Sequence, residues 1–316
     1  MAREDRTASR RSSRARVGMI GLGIMGSALS ANLMAAGFEV IGYDPKPACR
    51  ARHRRQGGTV AASVGEVAAA AGILVTSLPS TEALDAIAGE ILAVGRPRQI
   101  VVETSTFPIA AKEKVRRRLA KAGISLLDCP LSGTGAQARV KDLVVYASGP
   151  STDIRRCARV FAGFARGHYD LGKFGNGSKM KFAANLLVAI HNVSTAEAIV
   201  LARKSGLDPA LAVKVLADGA GASRMLQVRG PMMVRRNYRD ATMRVEIWQK
   251  DMAIITAYLR ELGSPAPLFM ASRGVYAEAM KRGLAKSDTA AVCEVLESRA
   301  KKRPEKRPGK RPRRAG

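Results

Sequence analysis

Residues 17–44 read VGMIGLGIMGSALSANLMAAGFEVIGYD and decide the fold of the first half of the chain. The apolar residues 17–20 predict a strand, and a turn with three glycines follows at once. Residues 27–36 have helical spacing, Gly37 predicts the end of that helix, and residues 38–43 predict a second strand that ends in Asp44. This order of strand, glycine turn, helix, strand and acid predicts a dinucleotide-binding unit.

Each glycine of the turn has its own physical role in such a unit. Gly21 permits the tight turn, Gly23 lets the backbone approach a pyrophosphate, and Gly26 lets the helix pack closely on the strand. Asp44 stands eighteen residues after Gly26, where its carboxylate can accept hydrogen bonds from the adenosine ribose. The predicted cofactor-binding residues of this segment are Gly21, Leu22, Gly23, Ile24, Met25, Gly26 and Asp44.

The type of cofactor also depends on Asp44. A carboxylate repels a 2′-phosphate, so NAD is predicted in preference to NADP. The neighbouring cations Lys46, Arg50 and Arg52 can relax that choice, and NADP therefore stays possible.

Strand and helix patterns continue to alternate up to about residue 161. They predict an α/β, doubly wound, mostly parallel sheet of the Rossmann type. Ligands of such sheets bind at the carboxyl ends of the strands, where this sequence has Leu78–Pro79, Ser105–Thr106 and residues 128–135. The last segment has little helix or strand propensity. Its Ser132 and two nearby glycines form either a small anion-binding nest or an ordinary turn.

Strand patterns nearly vanish after Lys179, and the remaining segments predict helices, the first over residues 179–204. An all-α domain therefore follows the α/β domain. The predicted organisation is a disordered basic arm over 1–16, a NAD-binding domain over 17–177, an all-helical substrate and oligomerisation domain over 178–297, and a disordered basic tail over 298–316.

The junction of the two predicted domains reads GNGSKMKFAAN over residues 175–185. Lys181 and Asn185 are four residues apart and share one helix face. From spacing alone, Lys181 is either a proton donor beside an oxygen-rich ligand or a lysine whose stem covers apolar surface. Lys250 likewise contacts either a ligand or solvent, and its spacing does not decide between them.

Composition limits the remaining classes of protein. The formal net charge is +27, of which residues 1–16 carry +4 and residues 298–316 carry +9. The basic tail is either a solvated segment or a nonspecific nucleic-acid contact. The four cysteines are far apart and lack metal-ligand spacing, so we expect no metal site and a reduced, cytoplasmic protein. No uncharged apolar run reaches about 18 residues, so no membrane span is predicted.

Four segments in this order resemble the β-hydroxyacid dehydrogenases, the group that includes 3-hydroxyisobutyrate dehydrogenase and tartronate semialdehyde reductase. The similarity covers about residues 17–297. The four segments are the cofactor motif GLGIMGSALSANLMAAG, the substrate motif DCPLSGTGAQA, the catalytic motif GNGSKMKFAANLL and the Lys-Asp pair in QKDM. The resemblance implies an NAD(P)-dependent oxidoreductase that acts on a CH–OH group of a short β-hydroxyacid and forms homodimers or homotetramers.

The resemblance also implies roles for individual residues. Lys181 aligns with the general acid/base, and Lys250 with a lysine near the nicotinamide. The substrate-binding positions are Ser132, Gly133, Thr134 and Asn185, and further cofactor contacts are Leu78, Pro79 and Thr106.

Some positions depart from the family pattern. Thr134 stands where a second glycine is usual, and Cys129 replaces a small residue. Imine reductases share the scaffold but usually carry Asp or Tyr at the position of Lys181. The alternative function from another class is a nucleic-acid-binding protein that uses its basic tails on a dehydrogenase-like scaffold.

Overall fold

The computed structural model describes residues 15–301. Its strands are β1 (Arg16–Ile20), β2 (Glu39–Tyr43), β3 (Thr59–Val60), β4 (Ile73–Thr76), β5 (Ile100–Glu103), β6 (Ser125–Asp128), β7 (Leu131–Ser132), β8 (Val144–Ala147) and β9 (Gly167–Asp170). The helices of the first half are α1 (Ile24–Ala35), α2 (Pro47–Arg55), α3 (Val64–Ala70), α4 (Thr81–Val94), α5 (Ile109–Ala120), α6 (Gly135–Arg139) and α7 (Ser151–Phe164). They are followed by α8 (Asn176–Lys204), α9 (Pro209–Asp218), α10 (Arg224–Arg235), α11 (Val245–Glu261), α12 (Pro267–Lys281), a 3₁₀ turn (Thr289–Ala291) and α13 (Val292–Lys301).

Six parallel strands form the main sheet in the order β3-β2-β1-β4-β5-β6. This is the order of a doubly wound dinucleotide-binding sheet, in which successive strands are added on one side of β1 up to β3 and on its other side from β4 onward. The predicted Rossmann-type fold is therefore confirmed. Met19 and Ile20 lie in the hydrophobic cores on opposite faces of the sheet, as successive residues of a strand buried on both sides must.

A smaller sheet follows, in the order β7-β8-β9. Its first pair is antiparallel and aligns Leu131 with Val145 and Ser132 with Val144. The expectation that residues 128–135 lack regular structure is wrong at these two positions, and also at Asp128, which ends β6, and at Gly135, which begins α6. Pairing with a strand that is distant in the sequence outweighs the weak local propensity of this segment.

The second half is all-helical between α8 and α13, as predicted. Helix α8 begins at Asn176, three residues before the predicted start, and α10 has no counterpart in the prediction. Because α10 contains Gly230 and Pro231, its local sequence disfavours a helix.

The chain divides into two compact units after Ala184, within α8, whereas the sequence analysis places the boundary after Gly177. Helix α13 continues to Lys301, past the position where the predicted tail begins, and Arg16 opens β1. The rest of the predicted arm and tail lies outside the described residues.

Helix α8 is the one helix within residues 15–301 that is long and apolar enough to cross a membrane. About two fifths of its most apolar window, 39%, is buried within the protein. A core helix also meets the criterion of length and composition, so this feature by itself is weak evidence for a membrane span.

Candidate active site

The glycine loop between β1 and α1 has the shape of a phosphate cradle. Gly21 has φ of +89°, and an added Cβ there would collide with the carbonyl oxygen of Ser77. A Cβ at Gly26 would collide with the carbonyl oxygen of Gly21. A Cβ at Gly23 would meet no atom of the described residues within 4 Å, so this face of the loop is open to a ligand. Helix α1 begins there without a side-chain cap or an acid in its first turn, which leaves its positive end for a phosphate.

Asp44 supports this loop as well as standing at its edge. The N–H of Leu22 donates to Oδ2 of Asp44 at 2.8 Å, and the N–H of Lys46 donates to Oδ1 at 2.9 Å. The side chain is 7% exposed. The sequence analysis assigned Asp44 only to the ribose, and these contacts add a structural role.

The cations near Asp44 have backbone partners. The guanidinium of Arg50 donates to the carbonyl oxygen of Asp44 at 2.6 Å, and that of Arg52 donates to the carbonyl oxygen of Leu22. Both arginines therefore hold the loops around the predicted ribose site.

The predicted substrate loop lies against the cofactor helix. A Cβ at Gly135 would stand 2.6 Å from Cγ2 of Ile24, and Nδ2 of Asn32 donates to the carbonyl oxygen of Ala138 at 2.7 Å. The N–H of Thr134 is taken by Oε1 of Gln137 at 3.0 Å, so this group is not available to an anion. The fold thus brings the cofactor motif and the substrate motif together, although they are about one hundred residues apart in the sequence.

Ser132 is half-buried in β7. Its hydroxyl has no hydrogen-bond partner among the described residues, and Gly133 beside it has φ of +129°. The hydroxyl of Ser132 is therefore the group of this pair that is available to a ligand.

The ends of β4 and β5 are joined by a side chain. The hydroxyl oxygen of Ser105 accepts the N–H of Leu78 at 2.9 Å. Thr106 is half-buried beside this contact, and Pro79 is exposed. The three predicted contacts Leu78, Pro79 and Thr106 therefore share one edge of the sheet with the glycine loop, because all these strands are parallel.

The sequence analysis placed Asp128 at the ligand-binding edge of the sheet, but the structure does not expose its side chain there. It is fully buried, and its Oδ1 lies 2.8 Å from Nζ of Lys112. Lys112 also lies 2.6 Å from Oε2 of Glu103. Burial opposes the charge of Lys112, but the two carboxylates outweigh burial and raise the pKa of this lysine above its ordinary value.

The same carboxylate receives the start of α8. The N–H and the hydroxyl of Ser178 donate to Asp128 at 2.7 and 2.8 Å, and the N–H of Gly177 donates to the hydroxyl oxygen of Ser148 at 2.9 Å. The sequence analysis missed this group. A signal was present, since Lys112 has the spacing of the buried Val115 and Leu119 on α5 and needs an anionic partner there.

The first two lysines of α8, Lys179 and Lys181, differ in their exposure to solvent. Lys179 is exposed, and its Nζ donates to Oδ1 of Asn176 at 3.3 Å. Lys181 is half-buried, and Asn185, one turn later, is 3% exposed. The helix thus turns Lys181 away from the open solvent that surrounds Lys179.

Asn185 is held by an acid that the sequence analysis treated only as half of a Lys-Asp pair. Nδ2 of Asn185 donates to Oδ2 of Asp251 at 2.9 Å, and Nζ of Lys250 lies 3.4 Å from the other oxygen of this carboxylate. This contact uses one hydrogen of the amide group, and the amide oxygen of Asn185 can accept a hydrogen bond from a ligand. Lys250 itself is exposed.

Within residues 15–301 no cluster of histidine, cysteine, aspartate and glutamate side chains has the arrangement of a metal site. The parallel sheet, its glycine cradle and the half-buried Lys181 define a class of protein, the dinucleotide-dependent oxidoreductases.

Family models and known proteins narrow this class. Residues 16–175 match the NAD-binding domain of 6-phosphogluconate dehydrogenase, and residues 175–296 match the NAD-binding domain of NADP-dependent 3-hydroxyisobutyrate dehydrogenase. The chain belongs to the β-hydroxyacid dehydrogenase family, and it is an NAD(P)-dependent oxidoreductase that acts on CH–OH groups.

Individual relatives agree with this membership. L-threonate dehydrogenase of Cupriavidus necator is 31% identical over 283 residues, which cover 88% of this chain and 95% of that protein. The structure of Mycobacterium tuberculosis 3-hydroxyisobutyrate dehydrogenase with L-serine is similar at a TM-score of 0.81 and 27% identity, with 90% and 99% of the two chains covered. An imine reductase from Myxococcus stipitatus in complex with NADP⁺ shares the fold at a TM-score of 0.58 and 17% identity, with 89% and 99% covered.

Proposed function

We propose that this protein reversibly oxidises a short-chain β-hydroxyacid, with Lys181 as the general acid/base. The observation that carries the proposal is the start of α8, where a half-buried Lys181 stands one turn before a buried, acid-held Asn185. A lysine in such surroundings can exchange a proton with a substrate hydroxyl, whereas the exposed Lys179 on the same helix is solvated.

Each side chain then has one task in the reaction. The bound nicotinamide supplies the hydride acceptor. In the oxidation the neutral amine of Lys181 accepts the hydroxyl proton, and in the reduction its ammonium returns that proton and stabilises the developing alkoxide. The amide oxygen of Asn185 accepts a hydrogen bond from the substrate, and Asp251 keeps this amide in place.

Ser132 and Gly133 suit the carboxylate of the substrate. The hydroxyl of Ser132 has no partner among the described residues, and the positive φ of Gly133 turns the local backbone toward an anion-binding conformation. The N–H of Thr134 donates to Oε1 of Gln137 at 3.0 Å, and its hydroxyl donates to the same oxygen at 3.4 Å. The more weakly held hydroxyl is therefore the group that Thr134 can offer to the substrate. L-threonate and 3-hydroxyisobutyrate both carry a carboxylate and a β-hydroxyl, and they are the first substrates to try.

The test of the catalytic role is Lys181→Ala. We expect kcat to fall by more than about a hundredfold, within the range of a lost general acid/base. The matched control is Lys179→Ala, two residues earlier on α8, for which kcat stays within about twofold. If Lys181→Ala keeps kcat within tenfold of the wild type, a barrier change of only about 1.4 kcal/mol, the assignment is wrong.

The substrate class is tested by a spectrophotometric screen of NADH and NADPH formation. The compounds are L-threonate, 3-hydroxyisobutyrate, D-glycerate, L-serine and 4-hydroxybutyrate. The proposal expects turnover of at least one β-hydroxyacid and little turnover of 4-hydroxybutyrate, whose hydroxyl is on the γ carbon, one carbon beyond the β position. Turnover of 4-hydroxybutyrate alone contradicts the proposed class.

We infer a preference for NAD over NADP. The buried carboxylate of Asp44 supports it, because a 2′-phosphate near this charge is repelled. Arg50 and Arg52 donate to backbone carbonyls, which reduces their availability for a phosphate. We expect a higher kcat/KM with NAD than with NADP. The Asp44→Asn change should bring the two values of kcat/KM closer together. An equal or higher kcat/KM of the wild type with NADP refutes the preference.

We also propose a homodimer or homotetramer formed through the helical unit. Helix α9 has no buried residue, and two large apolar side chains on one of its faces, Leu211 and Val215, are 57% and 61% exposed. A second copy that covers this face would bury apolar area. Leu211→Glu should lower the mass measured by light scattering after size exclusion, whereas the control Val140→Glu, at a site 74% exposed in the first unit, should not. A monomeric wild type excludes the proposal.

A cytoplasmic location is also inferred. The four cysteines are free thiols in the structure, and burial raises the pKa of Cys129, which keeps that thiol protonated and unreactive. Neither the fold nor the relatives support the nucleic-acid alternative.

A further inference from the structure

A fully buried charged network lies where α8 begins, in a part of the first unit that is otherwise a hydrophobic core. We call it the Asp128 network, and its members are Glu103, Lys112, Asp128, Ser148 and Ser178. Its formal charge is −1, from two carboxylates and one ammonium, and each of these charged side chains is at most 1% exposed. Asp128 belongs to the substrate motif, but none of the residues assigned individually to substrate or cofactor binding is a member of the network.

The network is costly if stability is its only purpose. Each buried ion loses its hydration, and well-packed apolar side chains in place of a buried ion pair are often as stable or more so. Buried polar groups instead select one arrangement, because each hydrogen bond fixes a direction and a distance. We therefore asked which element these bonds fix.

The bonds converge on the first turn of α8. Asp128 accepts both the N–H and the hydroxyl of Ser178, and Ser148 accepts the N–H of Gly177. The carboxylate of Asp128 also lies at the N-terminus of α8, and the positive end of the helix dipole stabilises its negative charge. A Cβ at Gly177 would collide with the carbonyl oxygen of Tyr146, so the helix start is pressed against the strands as well as bonded to them.

Lys181 follows Ser178 by three residues and lies on nearly the same side of α8, one turn farther along. A shift of the first turn by two residues, a rotation of about 200°, would carry Lys181 to the solvent side that Lys179 now occupies. A fixed register at Ser178 therefore determines that Lys181, and not Lys179, is the lysine shielded from solvent.

We propose that the Asp128 network holds the first turn of α8 in one register and so positions Lys181 for proton transfer. This inference rests on the proposed catalytic role of Lys181. Ser178, Asp128 and Lys112 are positioning residues that act through that lysine.

The first test measures the anchor without a substrate. Ser178→Ala removes one hydroxyl from the network. The matched control is Ser30→Ala, which removes a buried hydroxyl of α1 that lies 3.1 Å from Nδ1 of His53. Amide hydrogen exchange is followed by mass spectrometry on the full chain with saturating NADH. We expect Ser178→Ala to accelerate exchange about tenfold over residues 176–184, as expected if about 1.4 kcal/mol of local protection is lost, and Ser30→Ala to leave that segment unchanged. Unchanged protection of this segment in Ser178→Ala overturns the proposal.

The second test measures the consequence for the reaction. L-threonate and 3-hydroxyisobutyrate are assayed separately with NAD. We expect Ser178→Ala to lower kcat about tenfold with the KM for NAD within twofold, because a small displacement of a reacting group is costly. In the Lys181→Ala background, the Ser178→Ala change should have no further effect, since the network acts through that lysine.

The outcomes separate the two proposals. If Lys181→Ala keeps its activity, the proposed function fails, and this positioning inference fails with it even where exchange shows a real anchor. If Lys181→Ala is inactive but Ser178→Ala has the kcat of Ser30→Ala, the proposed function stands and the positioning inference is refuted. Additive losses in the double variant also refute it.

Discussion

Two glycines of the cofactor loop are needed for different physical reasons. Gly26 faces the carbonyl oxygen of Gly21, which leaves no room for a side chain within the protein itself. Gly23 faces open space, so its lack of a side chain serves a bound pyrophosphate rather than the fold. The same residue type in one motif therefore has one structural and one binding role.

Alanine at these two positions should separate stability from cofactor affinity. We expect Gly23→Ala to keep the Tm within about 2 °C, since its extended backbone conformation suits alanine, while the Kd for NAD rises at least about tenfold, or about 1.4 kcal/mol. Gly26→Ala should instead lower the Tm by several degrees. Calorimetry and titration of intrinsic fluorescence with NADH check both, and normal affinity in Gly23→Ala contradicts the role of that residue.

The orientation of Asn185 depends on Asp251. Asp251→Ala leaves the buried amide nitrogen without its acceptor, which costs about 1–3 kcal/mol, so we expect kcat/KM to fall about 5- to 160-fold. Asp251→Asn retains an acceptor oxygen, so its kcat/KM should fall less than that of Asp251→Ala. Glu246→Gln, an exposed acid on the same helix, is the control and should leave the steady-state kinetics unchanged. Equal losses in the alanine and asparagine variants would rule out this orienting contact.

At the scale of elements, the start of α8 shows how packing changes the meaning of a sequence. Gly175 and Gly177 suggest a broken backbone, and the sequence analysis begins the helix after them. Gly175 does have φ of +92°, but Gly177 is helical and is small because it lies against the strands. Only neighbours that are distant in the sequence distinguish these two uses of glycine.

This contrast gives a matched pair of helical glycine substitutions. Gly177→Ala should destabilise the protein by more than about 2 kcal/mol, in the range of overpacking, because its Cβ has no space. Gly89→Ala in α4 meets no described atom within 4 Å and should stabilise by about 0.5–1 kcal/mol from helix propensity. Denaturant unfolding measures both, and the same sign for the two variants would contradict this account.

At the scale of the whole molecule, the helical unit depends on one buried acid. Asp288 accepts hydrogen bonds from Arg229, Thr242, Met243 and Ala290, which joins α10 to the loop before α11 and to the 3₁₀ turn. Burial would raise the pKa of Asp288, but Arg229 and these donors outweigh burial and hold its pKa below the ordinary value.

The acid stability of the protein should therefore reflect Asp288. Because its pKa is lower in the folded state, its contribution is complete above the unfolded value of about 3.9 and is lost as the pH falls through the folded value. Asp288→Asn should cost about 3 kcal/mol at pH 7, since Arg229 stays buried, and less at low pH. Denaturant unfolding at pH 7 and at pH 3 checks this, and an equal loss at both values is the contrary result. The control is Glu278→Gln, which removes a partly exposed surface acid paired with Arg299 and should give a salt-sensitive effect.

The strands and most helices of the first unit follow from local pattern, because apolar runs and glycine turns carry their own signal. The prediction places β1 and β2 within one residue of their final bounds. It misses the short β3, β7 and β9, whose two to four residues gain stability from pairing rather than from their own propensity. In the helical half it misses α10, where burial of Arg229 against Asp288 outweighs Gly230 and Pro231.

The sequence by itself determined the class of fold, the glycine cradle and the choice of Lys181 and Asn185 as candidates, because these depend on residue types at short, fixed spacing. Only the tertiary structure decided what surrounds them. It buried Asp128 with Lys112 beneath the start of α8 and set Asp251 against Asn185. Such contacts join residues that are sixteen to sixty-six positions apart, and no local pattern specifies them. The physical reason is that a buried charge is stable only beside its partners, and the folded chain alone brings those partners together.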